Sequence, residues 1–266
     1  MGSAYMRAEH LRLDPPPWIV EDVLARSMLS DRYIAAADAA FGSVAPDVCG
    51  AFRAHFAIRA RLAEDAAVDG LAAARRDYVI LGAGADTFAL RHPRSANFTI
   101  WEIDHPASQT WKRAAIERLN LETPTNLRFV PADLAATSLR DLELPSSATW
   151  NWLGVTQYLE KSATDATLQA IAATGPGTTA VVEFLLTEGH CDELGFAFRS
   201  QSIMIGEQSG EPMISFYEPS EVDELFGRSG FTDVQLLDTH ALTQRYIPPG
   251  SQLRFPGAAT FAIATN

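Results

Sequence analysis

The apolar positions along the chain change rhythm once, near residue 77. Before that point they recur at helical intervals. DPPPWIVEDVLARSML sets prolines at a helix start and follows them with Ile19, Val23, Leu24 and Met28. FRAHFAIRARLAEDAAVDGLAAA reads as one long Ala-rich helix with Gly70 as a break. From Tyr78 onward, short continuous apolar runs alternate with helical stretches. YVILGAG, FTIWEID, LRFVPADL, ATWNWLGV, the run after GPG in GPGTTAVVEFLL, FTDVQLLD and TFAIATN are expected strands. GADTFALRHP, PASQTWKRAAIERLN, the stretch up to Ala172 and SEVDELFGRSG are expected helices.

Strand–helix alternation of this kind predicts a mostly parallel, doubly wound α/β sheet. The ending departs from it: helix, strand, long loop, strand suggests a final antiparallel hairpin. Thr187 to Tyr217 also breaks the alternation and reads as an inserted helix and loop. The expected organisation is a helical cap over 1–76 and a sheet domain over 77–266 with a lid insertion at about 187–217, forming one compact unit.

Composition narrows the class. With 266 residues, 47% of them hydrophobic, the chain has material for one sizeable core. A net charge of -12 without a basic stripe argues against nucleic acid or an anionic membrane as partner. Cys49 and Cys191 stand alone, outside any C-x-x-C pair, and read as inert thiols. No run approaches a membrane span, the first residues lack the apolar core of a signal peptide, and a cytoplasmic location is expected. No His, Cys and carboxylate grouping has metal-ligand spacing, so no metal is expected.

The candidate chemistry sits in DYVILGAGADTFAL. In a doubly wound sheet, ligands bind at the carboxyl ends of the strands. Gly82-Ala83-Gly84 forms the first strand-to-helix turn, where bare backbone can approach a ligand. The next strand ends in Ile103-Asp104, and Asp104 lies 104 − 82 = 22 positions after Gly82. That is near the ~20 expected for a carboxylate that takes ribose hydroxyls. A pyrophosphate fingerprint would want a third glycine where Thr87 stands. A nucleoside without phosphates relaxes that need, and S-adenosylmethionine is such a ligand.

YVILGAGADTFALR, WEIDHPASQTWKR, LRFVPADL and NWLGVTQYL, in this order and spacing, resemble the motifs of the leucine carboxyl methyltransferase-like group. HFAIRARLAED and SGFTDV are similar to it as well. That group includes protein phosphatase methyltransferases and bacterial polyketide carboxyl O-methyltransferases of the tetracenomycin type. The resemblance implies a seven-stranded class I methyltransferase fold, with the last strand antiparallel, and S-adenosyl-L-methionine as cofactor. It implies that Gly82, Ala83 and Gly84 run under the methionine part, and that Ile103 and Asp104 meet the ribose. Asp133 and Leu134 would take the adenine, and Arg59 the cofactor carboxylate, with Arg7 as a helper. Leu153 stands where many relatives carry Glu, and Gln157 where Met is usual. Tyr158 would face cofactor or substrate, or simply pack its helix. Arg59 shares its helix with Arg53 and Arg61, so a surface charge is the plain alternative, as a turn cap is for Asp133.

The implied reaction is O-methylation of a small-molecule acceptor. A carboxylate of a polyketide-like metabolite is favoured over a phenol, because an ionised carboxylate needs no general base. His105, His190 and His240 are bases by residue type only, and none is assigned. A scaffold of degenerate fold and a nicotinamide-dependent reductase are the competing readings, the second opposed by Thr87. Oligomeric state is not readable.

Overall fold

The computed structural model describes residues 1–134 and 136–266. Helices α1 (Gly2–Leu13), α2 (Ala25–Met28), α3 (Asp31–Phe41) and α4 (Pro46–Ala72) precede the sheet. Then come β1 (Asp77–Leu81), α5 (Phe88–Arg91), β2 (Thr99–Asp104), α6 (Pro106–Arg118), β3 (Leu127–Pro131) and β4 (Ala148–Trp152). The remainder is α7 (Lys161–Ala172), β5 (Thr179–Leu185), α8 (Glu193–Ser209), α9 (Pro219–Ser229), β6 (Asp233–Leu237), α10 (Thr239–Tyr246) and β7 (Ala259–Thr265).

The strands form one sheet in the order β3-β2-β1-β4-β5-β7-β6. β1 to β5 run parallel; β7 lies antiparallel between β5 and β6. Strand order reverses between β1 and β4, which places a ligand crevice at their carboxyl ends. Burial explains the continuous apolar runs: all seven residues of β5 and all five of β4 are buried. Val79, Trp150, Val182 and Phe184 pack with Leu168, Ile171, Val222 and Phe226, residues of α7 and α9. A second cluster sets Ile58 and Leu62 of α4 against Val181, Leu185 and Phe261.

The cap and the inserted segment share a third cluster, in which Tyr5, Phe52 and Ala51 meet Leu194 and Phe198 of α8. The Phe52 and Phe198 ring centroids are 4.4 Å apart. At the start of α8, Gly195 lies so close to the Gly257 carbonyl that a Cβ would collide with it. The start of α8 is therefore clamped, whereas Phe196 and Met204 are exposed.

Three sequence expectations shift. The helix expected from the prolines to Met28 is one turn only, α2. Before it the backbone is irregular: the Ile19 N–H donates to His10 Nε2 at 3.0 Å and Trp18 Nε1 donates to the Asp14 carbonyl at 2.9 Å. Ile19 and Val20 are buried while Val23 is exposed, so these apolar residues do not form one helical stripe. Gly70 does not break α4, which continues to Ala72; a Cβ at Gly70 would lie 2.7 Å from Thr149 Oγ1, so the glycine lets the helix cross β4 closely. The expected long loop before the last strand contains α10, started by Asp238, whose Oδ1 accepts the Ala241 N–H at 2.8 Å.

Candidate active site

The site begins with the turn after β1. Gly82 and Gly84 have φ of +68° and +48°, left-handed values that favour glycine. A Cβ on Gly82 would lie 2.6 Å from Val155 Cγ2, in the loop after β4, so the two loops meet face to face. The Gly82 N–H donates to the Ile103 carbonyl at 2.8 Å. The Ile103 side chain is in the core, so it offers the crevice backbone rather than a side-chain contact.

Asp104, at the end of β2, is tied to that turn. Its Oδ2 accepts the Gly84 N–H at 2.6 Å and its Oδ1 accepts the His105 N–H at 2.7 Å. Each carboxylate oxygen retains acceptor capacity, so the group is oriented rather than used up. Thr87 is turned away: its Oγ1 accepts from Arg91 Nε at 2.8 Å. Asp133 follows β3 at the same edge, exposed, with its carbonyl accepting the Ala136 and Thr137 N–H groups. Leu134 leans on the sheet core, and Ala83 is buried beneath the turn.

Arg59 reaches the edge from α4. Its guanidinium lies over Gly154, which has φ of +72° and whose Cβ, if present, would collide with it. Nη1 donates to Glu183 Oε2 at 3.2 Å and Nη2 to Ser3 Oγ at 2.5 Å; the Phe56 ring centroid is 4.5 Å away. Glu183, in β5, is buried, and its Oε1 is 2.6 Å from His55 Nε2. Burial alone would raise the Glu183 carboxyl, but Arg59 and His55 outweigh it and bring it down to about 2. Arg53, by contrast, pairs with Asp14 on the cap, and Arg61 with Asp65. Of the three arginines, Arg59 alone points to the crevice.

Arg7 sits beside the glycine turn without being free. Nε donates to Asp22 Oδ2 at 2.8 Å and Nη2 to the Ala85 carbonyl at 2.9 Å. Asp22 also faces Arg91, which in turn pairs with Glu64. This buried chain of charges bolts the cap to the first βα turn.

Tyr158 follows β4, partly exposed, with its hydroxyl pKa raised by burial and by Glu211. Leu153 packs at the margin of the second cluster, and Gln157 is buried, its carbonyl accepting the Ile214 and Ser215 N–H groups. Of the three histidines of interest, His105 adjoins Asp104 and bonds it through its backbone N–H, while each imidazole is engaged elsewhere or exposed. His105 Nδ1 caps α6 by accepting the Ala107 N–H; His190 Nδ1 bonds Thr187 Oγ1; His240 is exposed on α10.

His55, Glu183 and Asp22 escaped sequence reasoning. Glu183 had a legible signal, a lone acid inside the apolar run AVVEFLL, since a buried strand carries a charge only when it is paired. His55 had a weaker one, its position one helical turn before Arg59. Both cysteines are half-buried, and burial pushes their thiols up. A cavity of about 450 Å³ lies away from the sheet edge, within the cap, lined by Tyr5, Glu9, Arg26, Phe41 and Cys49. Among the described residues no helix is long and apolar enough to cross a membrane, and no three His, Cys, Asp or Glu stand together as metal ligands.

The edge thus presents a carboxylate held over bare backbone, a second acid one strand away and a guanidinium across the turn. Such a set fits a nucleoside that carries a carboxylate. Residues 1–172 match the leucine carboxyl methyltransferase family. A relative in Bacillus subtilis (strain 168), YktD, named on inference as an S-adenosyl-L-methionine-dependent methyltransferase, is 32% identical over 168 residues, 58% of this chain and 53% of its own. One in Mycolicibacterium paratuberculosis (strain ATCC BAA-968 / K-10), similarly named, is 38% identical over 125 residues, 45% of this chain and 40% of its own. The chain spans about half the length of the curated relatives it matches. Among solved structures, one from Thermobifida fusca YX, named on inference as a methyltransferase, aligns with a TM-score of 0.57 at 15% identity, over 100% of this chain and 94% of its own. A DUF574 family protein from Streptomyces avermitilis MA-4680 aligns at 0.56 and 13%, over 99% and 97%. At these identities the likeness concerns the fold, that of the class I methyltransferases.

Proposed function

This chain belongs to the leucine carboxyl methyltransferase family, and on that premise we propose that it is an S-adenosyl-L-methionine-dependent O-methyltransferase acting on a small molecule. The carrying observation is Asp104, fixed by the Gly84 and His105 N–H groups beside a turn in which a side chain at Gly82 would collide with Val155. Asp104 accepts the ribose hydroxyls, Gly82 to Gly84 admit the methionine part, and Asp133 with Leu134 receives the adenine. Arg59 holds the carboxylate through its fork, for which lysine is no equal. Arg7 helps indirectly, by fixing the Ala85 carbonyl of the turn. The cofactor supplies a sulfonium whose methyl passes to a nucleophilic oxygen; the protein aligns that oxygen and excludes water.

The acceptor is a carboxylate of a polyketide-like metabolite rather than a phenol. His105, His190 and His240 are committed or remote, and an ionised carboxylate needs no base. The insertion at 187–217 closes over the acceptor, with its exposed Phe196 and Met204 as apolar lining. The site lies in one compact unit of cap, 1–76, and sheet domain, 77–266.

Calorimetry tests the carrying observation. Asp104→Ala is expected to weaken S-adenosylhomocysteine by about 1–3 kcal/mol, the scale of an unmade charged hydrogen bond; equal affinity would remove Asp104 from the site. Mild alkali tests the acceptor class. Label transferred to aromatic polyketide acids is expected to leave as methanol, and alkali-stable label as the only product would make the acceptor a phenol.

A further inference from the structure

We propose that Glu183 and His55 form a positioning pair that aims Arg59 at the carboxylate of the bound nucleoside, and so set the preference for ligands that carry one. This rests on the reading of Arg59 given above. Three observations lead to it. Glu183 is an acid in the middle of a buried strand, 1% exposed, where a carboxylate persists only if each oxygen is engaged. Each is: Oε2 receives Arg59 Nη1 at 3.2 Å and Oε1 lies 2.6 Å from His55 Nε2. The register pairs Trp152 with Val182, so Glu183 stands beside Leu153, next to the Gly154 surface on which the guanidinium rests.

A guanidinium on a long side chain loses several rotamers when it binds a ligand, and an anchor at one nitrogen removes that cost in advance. Nη1 is the anchored end. Nη2 donates to Ser3 Oγ, a neutral partner that a ligand carboxylate outcompetes. The anchor must itself be rigid, and His55 supplies that. Its ring is stacked 5.4 Å from Phe255 at 6° and lies 4.7 Å from Phe198, so it cannot swing away. Nδ1 is buried without a hydrogen-bond partner among the described residues. An orphaned lone pair is cheaper than an orphaned N–H, so the proton resides on Nε2, which donates to Glu183. Phe198 belongs to α8, so the anchor is locked by the same packing that joins the cap to the insertion.

The test compares two probes, S-adenosylhomocysteine, which has the carboxylate, and 5′-methylthioadenosine, which lacks it. Glu183→Gln is expected to weaken the first roughly tenfold, the equivalent of about 1.4 kcal/mol, and to leave the second within twofold. His55→Leu is expected to behave alike, while His55→Gln, whose amide places an N–H near the Nε2 position, restores the preference. Unchanged 5′-methylthioadenosine binding shows that a variant is folded; a variant that loses both probes is replaced in the comparison by the His55 pair. If Arg59→Lys abolishes the preference and Glu183→Gln and His55→Leu keep it, the positioning pair is refuted and Arg59 stands. If Arg59→Lys keeps the preference, the reading of Arg59 falls, and the pair falls with it.

Discussion

Glu183 in β5 and Glu102 in β2 are two buried acids on one sheet, the first beside the half-buried Arg59 and the second beside the buried Lys112, and the fold treats them oppositely. Glu102 meets Lys112 Nζ at 2.6 Å, yet its Oε1 has no hydrogen-bond partner among the described residues. Burial is the largest influence on it, Lys112 opposes, and Asp86 and Asp104 add to the burial, so the carboxyl is pushed up to about 7. Glu183 suffers the same burial but has partners on both oxygens and is brought down to about 2. The two acids thus differ in what opposes their burial: Arg59 and His55 both act on Glu183, whereas Lys112 acts alone on Glu102 against burial and nearby acids. Glu102 sits next to the ligand edge among its acids; Glu183 sits where a cation has to be held.

Removing the acid should separate the two cases most. Glu183→Leu leaves Arg59 and the His55 N–H without their acceptor in the interior. It is expected to cost about 3–5 kcal/mol in denaturant unfolding, the scale of a buried pair broken on one side. Replacing Glu102 and Lys112 together by Gln and Met removes both charges and is expected to be near neutral, within about 1–2 kcal/mol. Equal losses for the two changes would erase the distinction.

The titrations differ in sign as well. The native Glu102 carboxyl keeps its proton to about 7 against 4.5 in the unfolded chain. Between those values the native state binds more protons, so this group's contribution falls as pH rises through the window. Glu64, also raised to about 7 by burial, acts in the same direction. Glu183 contributes the reverse: its stabilisation is complete above 4.5 and is lost as pH falls toward about 2. Thermal unfolding of Glu102→Gln against wild type is therefore expected to move in the variant's favour between pH 5 and 8, by roughly 2–3 kcal/mol at ~1.4 per unit. A difference that stays constant across that range would show that Glu102 does not titrate there.

The two acids also mark how far the sequence could be read. The meeting of the glycine turn with the strand-end acid was legible, because YVILGAG and WEID encode it by local order: an apolar run, a left-handed turn, an acid at a strand end. The strands were legible from their short apolar-rich runs, nearly continuous in β1 and β5 and interrupted by polar residues in β3 and β6. The partners of Arg59 were not. Glu183 lies 124 positions away in the chain, and nothing local to either residue encodes their meeting. The segment before α2 misled because its apolar residues satisfy helical spacing while His10, on α1, takes the Ile19 N–H that a helix would have bonded. The direction of Arg7 was hidden likewise, since its partner Asp22 sits in that irregular stretch.

An exposed pair completes the contrast at the small end. Lys161 Nζ lies 2.7 Å and 2.9 Å from the two Glu221 oxygens, closer than Arg59 lies to Glu183. If distance set the worth of an ion pair, this one would count for more. Its side chains are 46% and 39% exposed, however, so water screens the attraction and both long chains lose freedom in making it. Glu221 has a second task, accepting the Glu218 N–H in the capping box of α9, and that bond does not need the lysine. Lys161→Met is therefore expected to cost less than about 1 kcal/mol in denaturant unfolding, and less still in high salt. A loss approaching that of Glu183→Leu would mean that proximity, not burial, governs the charges of this fold.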